Sequence, residues 1–314
     1  MDYRDLRYFS CVAELRSFTQ AATILRTAQP ALSRCLKQLE EELGVQLLNR
    51  HGRGVTLTEA GEVLYKHAQQ LLRGMRQAET EVMACAGKPA GHLTLAMPPA
   101  AGQVLGPPLV ERYRALYPAV SLHLLEGFSG YIHEWLTSGR VDVAILHNPT
   151  PSRLIHIQHL LVEQMFVIVA GPRAPMPSVG PESYTVADLA ELSLILPSRP
   201  HSLRILVEQA AAEAGFPLRL ALEVDGLPLI KAMVERGLGA TVLTYAGATN
   251  EIASGLLRAV PIHDPGIHWR LDIASRFDRQ KSSALQELIR LIGEEVQTLV
   301  AREIWQGSPE LACP

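Results

Sequence analysis

The tightest constraint in this chain is the short interval between two helical segments near its start. Ser17-Phe18-Thr19-Gln20 has the form of a capping box, in which the hydroxyl accepts an orphan N–H and Gln20 reaches back to the cap. It opens a short helix that turns Phe18, Ala22 and Leu25 inward. After Arg26, Thr27 stands where the next helix needs a cap, and Pro30 is tolerated in that helix's first turn, where a missing N–H has no intrahelical partner. A connection of about three or four residues between two helices is the one expected of a helix-turn-helix. Leu6, Phe9 and Val12 predict an earlier helix over residues 3–15.

The helix after Pro30 has two unlike faces. Leu32, Leu36, Leu39 and Leu43 make an apolar stripe, which Gly44 ends. Gln29, Ser33 and Lys37 fall four apart on the other side, with Pro30 and Arg34 beside them. Amide, hydroxyl and cationic groups near a helix N-terminus suit base edges and phosphates in a DNA major groove, and they also suit an ordinary solvated face. Val45 to Leu57 then reads as two short β-runs around a Gly52-Arg53-Gly54 tip, a hairpin wing that carries Arg50 and Arg53 toward phosphates or a minor groove. Residues 1–58 hold eight Lys/Arg against six Asp/Glu, a local charge of +2 in a chain whose total is −3.

At this point the chain resembles the LysR-type transcriptional regulators. The stretches that carry the resemblance are Leu6-Arg7-Tyr8-Phe9, Ser17-Phe18-Thr19-Gln20-Ala21-Ala22, Ala28-Gln29-Pro30-Ala31-Leu32-Ser33-Arg34, Leu39-Glu40-Glu41-Glu42-Leu43-Gly44 and Leu57-Thr58-Glu59-Ala60-Gly61. The resemblance implies a bacterial, cytoplasmic regulator whose Gln29, Pro30, Ser33 and Arg34 face the groove while Arg53 meets the backbone or minor groove. It further implies RNA polymerase as a partner and a small-molecule effector. Cys35 departs from the polar residue often found at its position.

Beyond Thr58, the residues Leu64, Ala68, Leu71, Met75, Ala78, Val82 and Cys85 step by four and three along one helix. A long helix with one narrow apolar seam is expected to pair with a copy of itself, so Leu64, Leu71, Met75 and Val82 are the candidate dimer contacts; packing of the stripe on its own chain is the alternative. A two-fold dimer suits an inverted-repeat operator on double-stranded DNA. The resemblance implies a homodimer or, through paired effector domains, a homotetramer.

Gly87-Lys88-Pro89-Ala90-Gly91 breaks the helix. From residue 92 onward, short β-rich runs alternate with helices, which reads as βα units on a mostly parallel sheet in two α/β lobes. The resemblance implies an effector domain similar to periplasmic binding proteins, with its ligand between the lobes. The expected organisation is a winged helix-turn-helix at 1–58, a linker and dimerisation helix at 59–87, and an effector domain at 92–303, followed by a tail at 304–314. Within the effector domain, lobe I takes 92–163 and 268–303 and lobe II takes 164–267. Open α/β sheets bind ligands at the carboxyl ends of their strands, which selects Pro99, Ala100, Ser129, His147, His201, Ser202 and Thr244 as effector contacts. Ser129 either caps its helix or offers a donor to an anion, and Arg204 either serves the cleft or is a solvated charge. Many relatives place Ser or Thr where this chain has Pro99 and Ala100. Glu126 to Asn148 resembles a subgroup that includes nitrogen-assimilation control proteins. A small organic anion is the expected effector class.

Several classes are disfavoured. Cys11, Cys35, Cys85 and Cys313 form no C-x-x-C pair or Cys/His cluster, so neither a metal site nor a disulfide framework is expected. Apolar runs are cut by charge before a membrane span is reached, and no secretory leader opens the sequence. With no phosphate-cradling loop, G-x-S-x-G elbow or metal-ligand spacing, no catalytic residue and no cofactor is expected. An effector-independent DNA-binding regulator is the main alternative, and an enzyme using the α/β cleft is a remoter one.

Overall fold

Asp2 opens the first helix, accepting the Asp5 N–H while Asp5 accepts the Asp2 N–H, so the chain's complete capping box lies at its very start. The computed structural model describes residues 1–51, 54–84, 89–178, 180–280 and 282–308. Arg53 at the expected hairpin tip, the breaker residues Gly87 and Lys88, Cys85, Cys313 and the tail from 309 lie outside the described residues. The chain divides into two compact units, Met1–Cys85 and Ala86–Pro314.

The first unit packs α1 (Tyr3–Leu15), α2 (Phe18–Ile24) and α3 (Gln29–Leu43) around Phe9, Val12, Leu32, Leu36 and Leu39, all buried. Ser17 caps α2 by accepting the Gln20 N–H at 3.3 Å. Thr27 does not cap α3; the cap position is Ala28, with no side-chain hydrogen bond, because the helix starts one residue later than expected, with Pro30 in its first turn. The hairpin of β1 (Leu48–His51) and β2 (Gly54–Leu57) follows, tied down by Glu40, whose Oε1 accepts the N–H groups of Leu47 and Leu48. Gly54 has φ +136° while the neighbouring Val55 N–H donates to the Arg16 carbonyl at 3.0 Å. A Cβ on Gly61 would stand 2.1 Å from the Leu47 carbonyl, so only glycine lets α4 (Glu59–Ala84) start where it does.

The seam on α4 is divided. Ala68 and Leu72 are buried in the first unit's own core and Leu64 packs against it, whereas Leu71, Met75 and Val82 are exposed. Leu64 is thus an intramolecular contact in this chain. The reason is geometric: at about 100° per residue, Leu71, Met75 and Val82 lie within about 20° of the direction of Leu64, whereas Ala68 and Leu72 turn roughly 40° and 80° away from it into the first unit's core, so Leu64 stands where the two faces meet.

In the second unit a nine-stranded sheet runs through both lobes. Its first half is β3 (Gly91–Met97), α5 (Pro99–Leu116), β4 (Val120–Glu126), α6 (Ser129–Thr137) and β5 (Val143–His147). Next comes β6 (Ile155–Ala170), a single strand of 16 residues. The other lobe comprises β7 (Tyr184–Thr185), β8 (Leu194–Leu196), α7 (Ser202–Glu213), β9 (Leu220–Glu223), α8 (Leu227–Glu235), β10 (Thr241–Thr244), α9 (Thr249–Ser254) and β11 (Leu257–His263). The chain returns through β12 (His268–Arg276) and α10 (Ser283–Ala301) to β13 (Gly307–Ser308).

The sheet order is β4-β3-β5-β12-β6-β11-β7, with β10 and β13 also paired to β6, while β8 and β9 form a separate parallel pair. Along β6, residues 155–164 pair with β12 and residues 165–170 with β10 and β11, so the passage between lobes occurs inside one strand, where no turn residue marks it. One core lies under α5 and α10 and another under α7 and α8. Leu271 and Ile273 belong to the first of these and Trp269, on the same strand, to the second.

Candidate functional site

In the first unit, Gln29, Pro30, Arg34 and Lys37 are exposed along α3. Lys37 lies 3.4 Å from Glu41, an exposed pair that contributes little to stability. Ser33 and Arg50 are brought together directly: the Arg50 Nη1 donates to Ser33 Oγ at 2.8 Å, and its guanidinium lies 4.5 Å over the Phe18 ring. The arginine of the hairpin is thereby fixed against α3 and α2, which aligns hairpin and helix as one surface. Cys35 turns sideways, half-buried, and its thiol donates to Asp5 Oδ1 at 3.1 Å. Burial, with the Asp5 carboxylate beside it, pushes that thiol up to about 11, so it stays protonated and unreactive near neutrality.

In the second unit, all seven residues selected at strand ends, Pro99, Ala100, Ser129, His147, His201, Ser202 and Thr244, line one cleft of about 610 Å³, its open mouth included. Four helices begin there: α5 at Pro99, α6 at Ser129, α7 at Ser202 and α8 at Leu227. Each N-terminus carries unpaired N–H groups and the positive end of a helix dipole, so together they favour negative charge. Among the described residues, no lysine or arginine lines the cleft. Much of the rest is apolar, including Phe128, Leu203, Ile230 and Trp269.

The roles of Ser129 and Arg204 differ from expectation. Ser129 does not cap α6, whose cap is Phe128; its Oγ accepts the backbone N–H of His147 at 3.1 Å and so joins the ends of two strands. Arg204 is neither a cleft group nor a solvated charge. It is buried and ion-paired to Glu208 and Glu223, with the Pro197 carbonyl as a further acceptor. His201 is the cap of α7: its Nδ1 accepts the Leu203 N–H at 3.1 Å, leaving Nε2 to carry the ring proton. Burial pushes His201 down to about 4, with nearby Asp225 opposing the shift and His147 adding to it. Its ring is therefore a neutral donor at ordinary pH. Beside it, the Ser202 hydroxyl is buried and without a hydrogen-bond partner, and Thr244 is 4% exposed.

The sequence reading missed Trp269, Gly226, Ile230 and Gly247, which also line the cleft. Trp269 sits at the start of β12, and β12 runs antiparallel to β5, so a rule that looks beyond the carboxyl ends of strands looks at its wrong end. Its ring stacks on His147, with centroids 3.6 Å apart and planes 13° from parallel. His147 Nε2 in turn lies 2.8 Å from Oε2 of Glu163, both residues being buried.

Two family profiles match the chain: the bacterial regulatory helix-turn-helix protein, lysR family, over residues 3–62, and the LysR substrate binding domain over residues 86–297. The chain is 31% identical to the HTH-type transcriptional regulator BbuR of Bordetella bronchiseptica, over 97% of its own length and 93% of the relative's. It is 32% identical to the nitrogen assimilation regulatory protein nac of Escherichia coli, over 92% of its length and 94% of that protein's. The full-length LysR regulator CbnR, solved with its target DNA, shares the fold with a TM-score of 0.69 at 21% identity, over 94% of this chain and all of that one. Both profiles, in order along one chain, place it in the LysR family: a transcriptional regulator with an N-terminal helix-turn-helix domain and a C-terminal effector-binding domain, and not an enzyme.

Proposed function

We propose that the chain reads an inverted-repeat operator as a homodimer or homotetramer and changes its hold on that DNA when a small organic anion enters the cleft of its second unit. Gln29, Pro30, Ser33, Arg34 and Lys37 supply the groove-facing surface, and Arg50 with Arg53 supplies the phosphate and minor-groove contacts. Leu71, Met75 and Val82 supply the self-pairing contacts; they are exposed in the single chain, which supports a partner copy there. RNA polymerase as a partner and the cytoplasm as location belong to the same reading, which is supported by the family and by the fact that no helix among the described residues is long and apolar enough to cross a membrane. A nitrogen-assimilation-control-like subgroup is a finer part of the proposal. It rests on the Glu126 to Asn148 stretch, which supplies Phe128, Ser129 and His147 to the cleft.

The observation that carries the ligand class is the meeting of four helix N-termini, a neutral His201 and an unpartnered Ser202 hydroxyl in a largely apolar cleft that, among the described residues, has no cationic lysine or arginine. Such a site holds a small carboxylate with an apolar body through fixed dipoles and neutral donors. The test is a melting series on the full-length protein with small aliphatic and aromatic carboxylates, each beside its uncharged amide. A ligand at about 100 times its Kd stabilises by about 2.7 kcal/mol. Stabilisation by a carboxylate and not by its amide is the expected result; no stabilisation by any carboxylate removes the anion reading and favours regulation without an effector.

A further inference from the structure

Past α10, residues 302–308 stay on the second unit. They fold back across β6, and this return lies beyond the end of the matched family profile at residue 297. Ile304 and Trp305 donate their N–H groups to the Leu299 carbonyl, and Gly307 and Ser308 pair antiparallel with Glu163 and Val162. The seating is close: a Cβ on Gly307 would stand 1.9 Å from Leu161 Cδ1. Trp305 is 1% exposed, and its indole N–H donates to Glu163 Oε1 at 2.8 Å.

Glu163 is therefore engaged from two sides, by Trp305 on one oxygen and by His147 Nε2, also at 2.8 Å, on the other. A carboxylate has only lone pairs to offer, so both neighbours donate to it, and the Nε2 proton of His147 is fixed by a residue that does not line the cleft. The His147 ring, held at one edge, lies flat on Trp269, and both rings line the cleft. In the neutral ring this makes the other nitrogen, Nδ1, the acceptor.

We infer that Glu163 and Trp305 are positioning residues for ligand recognition: the C-terminal strap, through Trp305 and Glu163, sets the orientation and the tautomer of His147 in the cleft. The inference rests on the reading of that cleft as the effector site. Ligand contact is made by His147 and Trp269, and the strap acts through them. The polarity that His147 offers to a ligand is thus set through Glu163 by a residue 142 positions beyond that glutamate, in a segment outside the matched domain profile.

The strap is tested in the full-length protein by 15N NMR of its imidazoles, with the His147 signals identified by their loss in His147→Gln. Wild-type protein is expected to show His147 as one tautomer, protonated at Nε2. In Glu163→Gln the side-chain carbonyl keeps the Trp305 N–H and the amide N–H₂ faces Nε2, so the ring proton is expected to move to Nδ1. Trp305→Phe keeps a ring in the core and removes only the donor that orients Glu163; its expected result is a His147 signal still protonated at Nε2 but shifted and broadened, with DNA binding retained. A substitution that merely loosened packing would not invert a tautomer. An unchanged His147 signal in both variants overturns the inference. Benzoate serves as the ligand probe: its stabilisation of the wild type is expected to shrink in Trp305→Phe, and an undiminished shift also counts against the strap. If benzoate fails to stabilise the wild type, the aromatic-carboxylate reading of the cleft falls, and the tautomer measurement alone decides the positioning role.

Discussion

The two functional surfaces are assembled over very different stretches of chain. On α3, Gln29, Ser33 and Lys37 come together because residues four apart share a helix face, and the nearby Arg50 is added by a hairpin that Glu40 ties to the same helix. The cleft of the second unit instead gathers Pro99, Ser129, His147, Ser202, Thr244 and Trp269, which meet only because one sheet runs through both lobes. A surface built from one helix can be read from periodicity. A cleft built from strand ends depends on topology, and each of its members contributes one or two residues that carry no local pattern.

The contrast can be broken most sharply at α4, which belongs to neither surface. Replacing Leu71 and Val82 together with glutamate is expected to convert the protein to monomers, because two buried charges facing their own copies carry a desolvation cost that a narrow seam cannot offset. Analytical ultracentrifugation reads the outcome directly, and a persistent dimer would move the self-association surface elsewhere. Next in size is Leu36→Ala in the core beneath the reading face. It is expected to cost about 2–5 kcal/mol of stability in the first unit. Calorimetry should show one transition falling while a carboxylate still stabilises the other; a uniform loss in both would mean that the two units unfold as one.

In the cleft, His201 gives the second unit an acid sensitivity. Its pKa is about 4 when folded against 6.5 ordinarily. Between those values the unfolded chain binds the extra proton, so stability is lost as pH falls from 6.5 toward 4, by about 3 kcal/mol in total. His201→Asn keeps an acceptor for the Leu203 N–H and is expected to flatten this part of the pH–stability curve, measured by denaturant unfolding. The smallest effect is expected from Arg34→Ala, about 1–3 kcal/mol of operator affinity at moderate salt, with the melting response to carboxylates unchanged. Intact specific binding in that variant would remove Arg34 from the reading surface.

Legibility followed the same division. The helices of the first unit, its glycine stops and its polar face were visible in the spacing of Leu32, Leu36 and Leu39 against Gln29, Ser33 and Lys37. What spacing concealed there was fine placement: Thr27 looks like a cap but the helix begins past it, and Leu64, on the same seam as Leu71, is half-buried against its own chain's core. In the second unit the strand-end rule found the cleft side of β3, β4, β5, β8 and β10. It could not find Trp269, since β12 runs the other way, nor foresee that Arg204 would be absorbed by Glu208 and Glu223.

The amino-acid sequence by itself determined the elements that depend on neighbours within a few residues: amphipathic helices, caps, the tight turn between α2 and α3, and the polar stripe near an N-terminus. Those features follow from backbone sterics and hydrogen bonding that any short segment carries with it. Tertiary structure alone decided that β6 would serve both lobes, that four helix N-termini would point into one cleft, and that Trp305 would reach Glu163. The physical reason is that burial and polar satisfaction are settled between segments far apart in the chain. A buried carboxylate needs donors wherever the fold brings them, and no local pattern names the indole that arrives from the far end.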